Sequence, residues 1–289
     1  MWKTINQQIS QAIHYDFKHT HKRQLQNTST DMLFHISDGK HNYLVKIAQK
    51  NELDRFEAQA QGLKQLTQNS IFMVPDCITT GANIEYAFIV LEWLTLDDLP
   101  HTHWSTMGEH LAMLHQKHEQ AMFGFDTDNY LSSTPQPNQW HKKWDVFFAE
   151  ERIGWQLQLL AEKDIVLADP EQLINLVKEQ LHNHHVLPSL LHGDFWRGNM
   201  GFVNNIPTLF DPACYYGDRE VDIAMSELFA PLPDEFYNAY DHHYPLSQNY
   251  QHRKLVYQLY PILNHANIYA GHYLNQAKEH VEKLLNLNK

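Results

Sequence analysis

The spacing of apolar residues changes period at about residue 94, and that change limits the chain to an architecture with a sheet first and helices after. Met32, Phe34 and Ile36 alternate with polar neighbours, Asp38-Gly39 marks a tight turn, and Tyr43, Val45 and Ile47 alternate again. This pattern predicts a β-hairpin. Lys46 lies between Val45 and Ile47, so it points to the opposite face of its strand. Phe56, Ala60, Leu63 and Leu66 then recur at helical spacing, which predicts a helix over about 53–66. Val74-Pro75 ends that segment, and Phe88-Ile89-Val90-Leu91 reads as a buried strand. Beyond Glu92-Trp93-Leu94 the character is helical. Met107, Leu111 and Leu114 mark one helix, and a Pro-rich loop over 132–138 precedes a long aromatic helix through Trp144, Phe147, Phe148, Ile153 and Trp155. Asp169-Pro170-Glu171-Gln172 starts another, with Asp at the cap and Pro at the first position. Short β-like pieces fall around 189–191 and 208–210, and the tail from Asp218 is helical. The expectation is an α+β chain of two lobes, a small one over 1–94 with an antiparallel sheet and a larger, mostly α-helical one over 95–289.

Composition narrows the function classes. Of 289 residues, 43% are hydrophobic and 19% charged, which suits a globular core rather than disorder. A formal net charge of −12 disfavours nucleic acid and anionic membranes as partners. The longest apolar stretch, Tyr86 to Leu91, is too short to cross a bilayer, and the first residues lack the apolar block of a signal peptide. Cys77 and Cys214 cannot build a disulfide framework or a four-cysteine zinc site. A cytoplasmic protein is expected. The 21 histidines raise metal binding as a hypothesis. His101 and His103, His182, His184 and His185, and His242 and His243 are close in sequence. None forms a His-Glu-x-x-His helix, and no Cys-x-x-Cys occurs, so they read as solvated surface. Neither a Walker A loop nor Gly-x-Gly-x-x-Gly is present.

One segment carries chemistry. His192-Gly193-Asp194-Phe195-Trp196-Arg197-Gly198-Asn199 has the His-x-Asp-x-x-x-x-Asn spacing of a kinase catalytic loop, which it resembles. In that pattern Asp194 orients an acceptor hydroxyl and takes its proton, and Asn199 offers a neutral oxygen to magnesium. A metal-binding carboxylate should follow on a second strand, and Leu209-Phe210-Asp211-Pro212 supplies Asp211 at hairpin distance from Asn199. Lys46 fits the strand lysine that grips the α- and β-phosphates of ATP. Its acid partner should lie on the next helix, where Glu57 stands, with Glu52 and Asp54 nearer the helix start. Adenine would bond backbone groups near Glu92 and Leu94 at the lobe boundary. The loop Leu25-Gln26-Asn27-Thr28-Ser29-Thr30-Asp31 holds no glycine, yet can cap phosphates through N–H and hydroxyl groups. His192 reads as a structural residue of the loop rather than a proton carrier.

The longer pattern resembles one family. Leu191 through Asn199, then Phe210-Asp211-Pro212-Ala213-Cys214-Tyr215-Tyr216-Gly217-Asp218-Arg219-Glu220-Val221-Asp222-Ile223-Ala224, are similar to the fructosamine kinase (ketosamine 3-kinase) family. Ser133–Trp140, Phe147–Trp155 and Tyr257-Gln258-Leu259-Tyr260 are further family-like blocks. The resemblance implies a protein-kinase-like fold, close to aminoglycoside and choline kinases. It also implies phosphorylation of the 3-hydroxyl of a ketosamine with ATP and Mg2+, in protein deglycation repair. The acceptor would be a small-molecule or protein-bound ketosamine; the oligomeric state is left open, a monomer included. By that resemblance Asp194 is the catalytic base, Asn199 and Asp211 are the metal ligands, and Lys46 grips phosphate. Trp196 packs on the sugar or fills core, and Asn138 and Trp140 belong to the block that shapes the acceptor cleft.

Three positions depart from the family pattern. Gln59 stands where an acid is usual, the candidate phosphate loop has no glycine, and Arg197 replaces a small residue. A kinase of another hydroxylated small molecule and a nucleotide-binding pseudokinase are the competing readings.

Overall fold

The computed structural model describes residues 1–28, 30–97 and 103–286. Helix α1 (Trp2–Ile13) is followed by strands β1 (His21–Gln24), β2 (Met32–Ser37) and β3 (Asn42–Gln49). Helix α2 (Leu53–Asn69) and strands β4 (Cys77–Ala82) and β5 (Tyr86–Glu92) come next. The five strands form one antiparallel sheet in the order β1-β2-β3-β5-β4. The expected hairpin is the β2–β3 pair, with Ser37 opposite Asn42. Gly39 turns it at φ +93°, and the Asp38 carboxylate accepts the N–H groups of Lys40 and His41.

Alternation sets which side chains meet the core. Phe34, Ile36, Tyr43, Val45, Ile47, Phe88 and Val90 pack with Ile5 and Ile9 of α1. Each fully buried aliphatic chain there contributes about 1.5–3 kcal/mol. Lys46 falls on the other face, opposite Leu33 and Ile89 in the two ladders.

The later elements are α3 (Trp104–His115), β6 (Asn129–Leu131), β7 (Thr134–Gln136), α4 (Trp144–Phe147), α5 (Trp155–Ala161) and α6 (Pro170–Leu181). Then come β8 (Ser189–Leu191), β9 (Met200–Val203), β10 (Ile206–Leu209) and β11 (Tyr215–Gly217). Helices α7 (Glu220–Ser226), α8 (Asp234–His243), α9 (Tyr250–Tyr269) and α10 (His272–Asn286) complete the chain. The predicted cap on α6 forms, with the Asp169 carboxylate accepting the Gln172 N–H at 2.7 Å. Two expectations need correction. The Pro-rich segment is a strand pair, β6–β7, turned at Ser132 with φ +60°. The aromatic helix is not uniform either, because Phe148–Gly154 between α4 and α5 is wound as a π-helix. Such wide turns are rare and concentrate at functional sites.

The chain divides into two compact units, Met1–Pro100 with Gly201–Asp211, and His101–Met200 with Pro212–Lys289. The segment Gly201–Asp211 thus returns to the first unit. Met73 explains its place: its N–H donates to the Pro207 carbonyl at 2.9 Å, and its own carbonyl accepts the Leu209 N–H at 2.9 Å. Among the described residues, no helix is long and apolar enough to cross a membrane.

Burial sets three histidines apart from the rest. His115 and His192 are fully buried and His280 nearly so. Burial lowers the pKa of His115, His265 and His280 from the ordinary 6.5. These rings stay neutral in the folded chain and take up protons more readily once it unfolds. Their contribution is therefore kept above pH 6.5 and lost as the pH falls below it. Thermal midpoints measured from roughly pH 7.5 down to 5.5 should decrease, and a flat profile would contradict this assignment. The thiols of Cys77 and Cys214 are both pushed up by burial, Cys77 to about 11, which makes them poor nucleophiles.

Candidate functional site

In the first unit, two predicted residues, Lys46 and Asp211, come together, and Gln59 joins them. Lys46 on β3 is 5% exposed, and its Nζ donates to Oδ1 of Asp211. Gln59 on α2 donates from Nε2 to the same oxygen at 2.5 Å. Asp211 follows β10 with φ +55° and precedes Pro212. A left-handed conformation before proline is unfavourable, and such residues cost on the order of 1–3 kcal/mol. The two donors that meet its carboxylate oppose this strain.

Glu57, expected as the acid partner of Lys46, is exposed on α2. The partner is Asp211, and the α2 residue that joins the pair is Gln59. Its amide suits the place. A carboxylate at 59 would set two negative groups against each other, whereas Gln59 donates to the oxygen that already takes Lys46.

The backbone after β5 is partly committed. The Glu92 N–H donates to the Asp76 carbonyl at 2.8 Å and the Trp93 N–H to Asn42 at 3.3 Å. Among the described residues the Leu94 N–H has no hydrogen-bond partner, so it can donate to a ligand. The Glu92 side chain is exposed. In the glycine-free loop Ser29 lies outside the described residues. On either side of it Thr28 and Asp31 are joined: the Thr28 N–H donates to the Asp31 carbonyl at 3.0 Å and Thr28 Oγ1 accepts the Asp31 N–H at 2.9 Å.

In the second unit, the catalytic-loop motif leaves β8, which pairs with β11. The Asn199 amide donates to Asp194 Oδ2 at 2.7 Å and to the Asp194 carbonyl at 3.0 Å. Its nitrogen is thereby spent on Asp194, and its Oδ1 is the atom left for a metal. His192 is buried and its Nδ1 faces the Asp194 N–H at 3.3 Å, the loop-holding role expected of it.

The residue that fixes this loop is Asp222 on α7, to which the sequence reading gave no role. Its Oδ2 accepts the His192 N–H at 2.8 Å and its Oδ1 the Gly193 N–H at 3.0 Å. His115 Nε2 lies 3.2 Å from Oδ2, and His115 Nδ1 lies 2.9 Å from the Tyr240 hydroxyl. An acid inside the apolar run Val221-Asp222-Ile223-Ala224 was the available signal. Gly193 has φ +80°, and a Cβ there would run into the Ala213 carbonyl oxygen. That close approach belongs to the Ala213 N–H bond to the His192 carbonyl, 2.8 Å long, which ties the start of the loop to the chain after Pro212.

The acceptor-side candidates separate. Trp196 is 40% exposed, so it is not core, and its ring covers Gly198, where any side chain would strike it. Arg197 reaches back over the Trp104 ring, 5.8 Å from the centroid. Trp140 is half-buried beside Tyr216. Asn138 differs from expectation. It is 1% exposed, donates to Thr127 and Asn129, and accepts Arg152 Nη2 at 2.6 Å. Every polar atom of its side chain is engaged inside the protein, so it shapes the scaffold. Arg152 itself, on the π-helix, is fully buried against Phe147, Tyr215 and Tyr260, a place its sequence gave no sign of.

Asn199 offers Oδ1 and Asp211 a carboxylate, and each is a hard oxygen donor of the kind magnesium takes. The histidine pairs do not build a rival centre. Among the described residues one group, His184, Asp218 and Glu220, gathers three metal-capable side chains. Its atoms are spent otherwise: Asp218 accepts from His184 and the Tyr257 hydroxyl, and Glu220 accepts a two-pronged bond from Arg253. His101 lies outside the described residues.

Comparison with known proteins agrees with the motifs. The family profile described as fructosamine kinase matches residues 1–287. A Vibrio parahaemolyticus protein called a probable ketoamine kinase is 48% identical over 288 residues, covering 99% of each chain. A Haemophilus somnus structure carrying the name fructosamine-3-kinase superposes with a TM-score of 0.94 at 34% identity, over 99% of this chain and 98% of that one. The aminoglycoside phosphotransferase APH(4)-Ia shares the fold, with a TM-score of 0.64 at 12% identity over all of both chains. With the sheet-rich first lobe, the helical second lobe and the Asp194–Asn199 loop already in place, this match over nearly the full length makes the chain a member of the fructosamine kinase family, ATP-dependent kinases of protein-kinase-like fold.

Proposed function

We propose that the chain transfers the γ-phosphoryl group of ATP to the 3-hydroxyl of a ketosamine, a fructosamine, ribulosamine or erythrulosamine, free or protein-bound, in deglycation repair. The observation that carries this reading is the Asp194 carboxylate, held by Asn199 and by a loop whose N–H groups are clamped on Asp222.

In this reading Asp194 orients the acceptor hydroxyl and takes its proton as the new P–O bond forms. Magnesium, when bound, would offset charge on the phosphate oxygens; Asn199 and Asp211 are the residues of this chain that would hold it. Lys46 exchanges Asp211 for the α- and β-phosphates, and Gln59 keeps a hydrogen bond on the Asp211 carboxylate as Lys46 leaves it. The Leu94 N–H receives an adenine ring nitrogen. Trp196 offers the sugar an apolar face beside the base, as aromatic rings do. A net charge of −12 gives ATP no long-range attraction, so binding rests on these local donors.

The reading is tested by ADP release with Mg-ATP and a panel of acceptors: a ribulosamine, a fructosamine and an aminoglycoside. Turnover with a ketosamine and none with the aminoglycoside is expected. Turnover with the aminoglycoside alone would reassign the acceptor, and no turnover with nucleotide bound would make the chain a pseudokinase.

A further inference from the structure

A phosphate-covering loop without glycine needs some other means of holding its shape, and the first unit contains one. Asp31, at the loop's return into β2, is 6% exposed, and Arg55 of α2 is 8% exposed. Arg55 grips Asp31 with both terminal nitrogens, at 2.5 and 3.3 Å, and its Nε donates to Glu52 at 2.8 Å. Burial alone would lower the Arg55 pKa, and the carboxylates of Asp31 and Glu52 raise it above its ordinary value. A two-pronged guanidinium–carboxylate pair fixes direction as well as distance.

The placement of this pair matters more than its strength. Arg55 and Gln59 are four residues apart on α2, so they lie one turn apart on one face. Gln59 holds Asp211, the partner of Lys46. Asp31 precedes Leu33 by two residues, and Leu33 is the β2 residue opposite Lys46. Consecutive turns of one helix therefore hold the end of the loop and the carboxylate that meets the phosphate-gripping lysine.

We propose that Asp31 and Arg55 are positioning residues for the nucleotide, a staple that sets the glycine-free loop in register with Lys46 through α2. A glycine-rich loop closes over phosphates by being supple; this one is held ready by an internal ion pair. The inference rests on the kinase reading of Lys46 and the loop, and not on the identity of the acceptor.

The test uses the full chain and measures binding of a non-hydrolysable ATP analogue with magnesium, without acceptor, beside the thermal midpoint of the nucleotide-free protein. Asp31→Asn leaves Arg55 its bond to Glu52 and should weaken analogue binding by about tenfold, the usual scale for a lost supporting contact. Under turnover the same variant should raise the KM for ATP and leave kcat within about twofold, since the loop bears on binding rather than on Asp194. A folded Asp31→Asn protein with unchanged affinity overturns the proposal, as does a fall in kcat with KM unmoved. Should Asp31→Asn fail to fold, Arg55→Lys decides. It keeps a positive charge beside Asp31 and removes the two-pronged bond. Weaker analogue binding by Arg55→Lys supports the staple, and unchanged binding overturns it. Wild-type protein that binds no analogue defeats the kinase reading itself, a result distinct from any of these.

Discussion

Replacing Asp194 by Asn should lower kcat by about 10²–10⁴-fold, the range that a positioned general base supplies. Asn is close in shape and can still meet the Asn199 amide through its oxygen, so the loop should keep its form. It cannot take the acceptor proton. In the proposed reading Lys46 and the Leu94 N–H bind the nucleotide and Asp194 does not, so ATP analogue affinity should stay within about threefold. Steady-state kinetics beside direct binding separates the two quantities. Equal turnover by Asp194→Asn and wild type would remove Asp194 as the base, and loss of nucleotide binding would point to a structural role instead.

The largest effect on stability is expected from Asp222→Ala. Asp222 is fully buried and receives the His192 N–H, the Gly193 N–H and His115 Nε2. Alanine leaves three buried donors without an acceptor, each costing about 1–3 kcal/mol. Even a partial loss is large against a typical domain stability of about 5–15 kcal/mol. Urea unfolding should show a drop of at least about 3 kcal/mol, with kcat falling in whatever folded fraction remains. Asp222→Asn, which keeps one acceptor oxygen, should lie between. A variant as stable as wild type would mean that the loop holds itself without the clamp.

What sequence could show follows the range over which each signal acts. The β2–β3 hairpin, α2, the Asp169 cap and the Asp194–Asn199 loop are written in neighbouring residues, by alternation, helical spacing and fixed intervals. Strand β1 was hidden because its four residues, His21–Gln24, are all exposed and carry no apolar alternation, as edge strands often do not. Strand β7 was hidden by Pro135, which reads as loop yet sits opposite Tyr130 in a two-stranded pair. Gln59 meets Asp211 across 152 positions of sequence, and no local pattern announces a contact of that length. Glu57 was chosen for its charge, while the fold chose by helix face. Of the histidines, His115, His192 and His280 are buried, and each finds a hydrogen-bond partner inside, which composition cannot reveal.

Phosphorylation of the 3-hydroxyl is the proposed reaction, and the position of the new phosphate on the product reports it. After reaction of a ribulosamine or fructosamine with Mg-ATP, ³¹P–¹H correlation NMR should place the phosphate on the oxygen of carbon 3, followed by release of the sugar from its amine. Phosphate on any other hydroxyl, or ATP consumed with no sugar phosphate formed, would contradict the account.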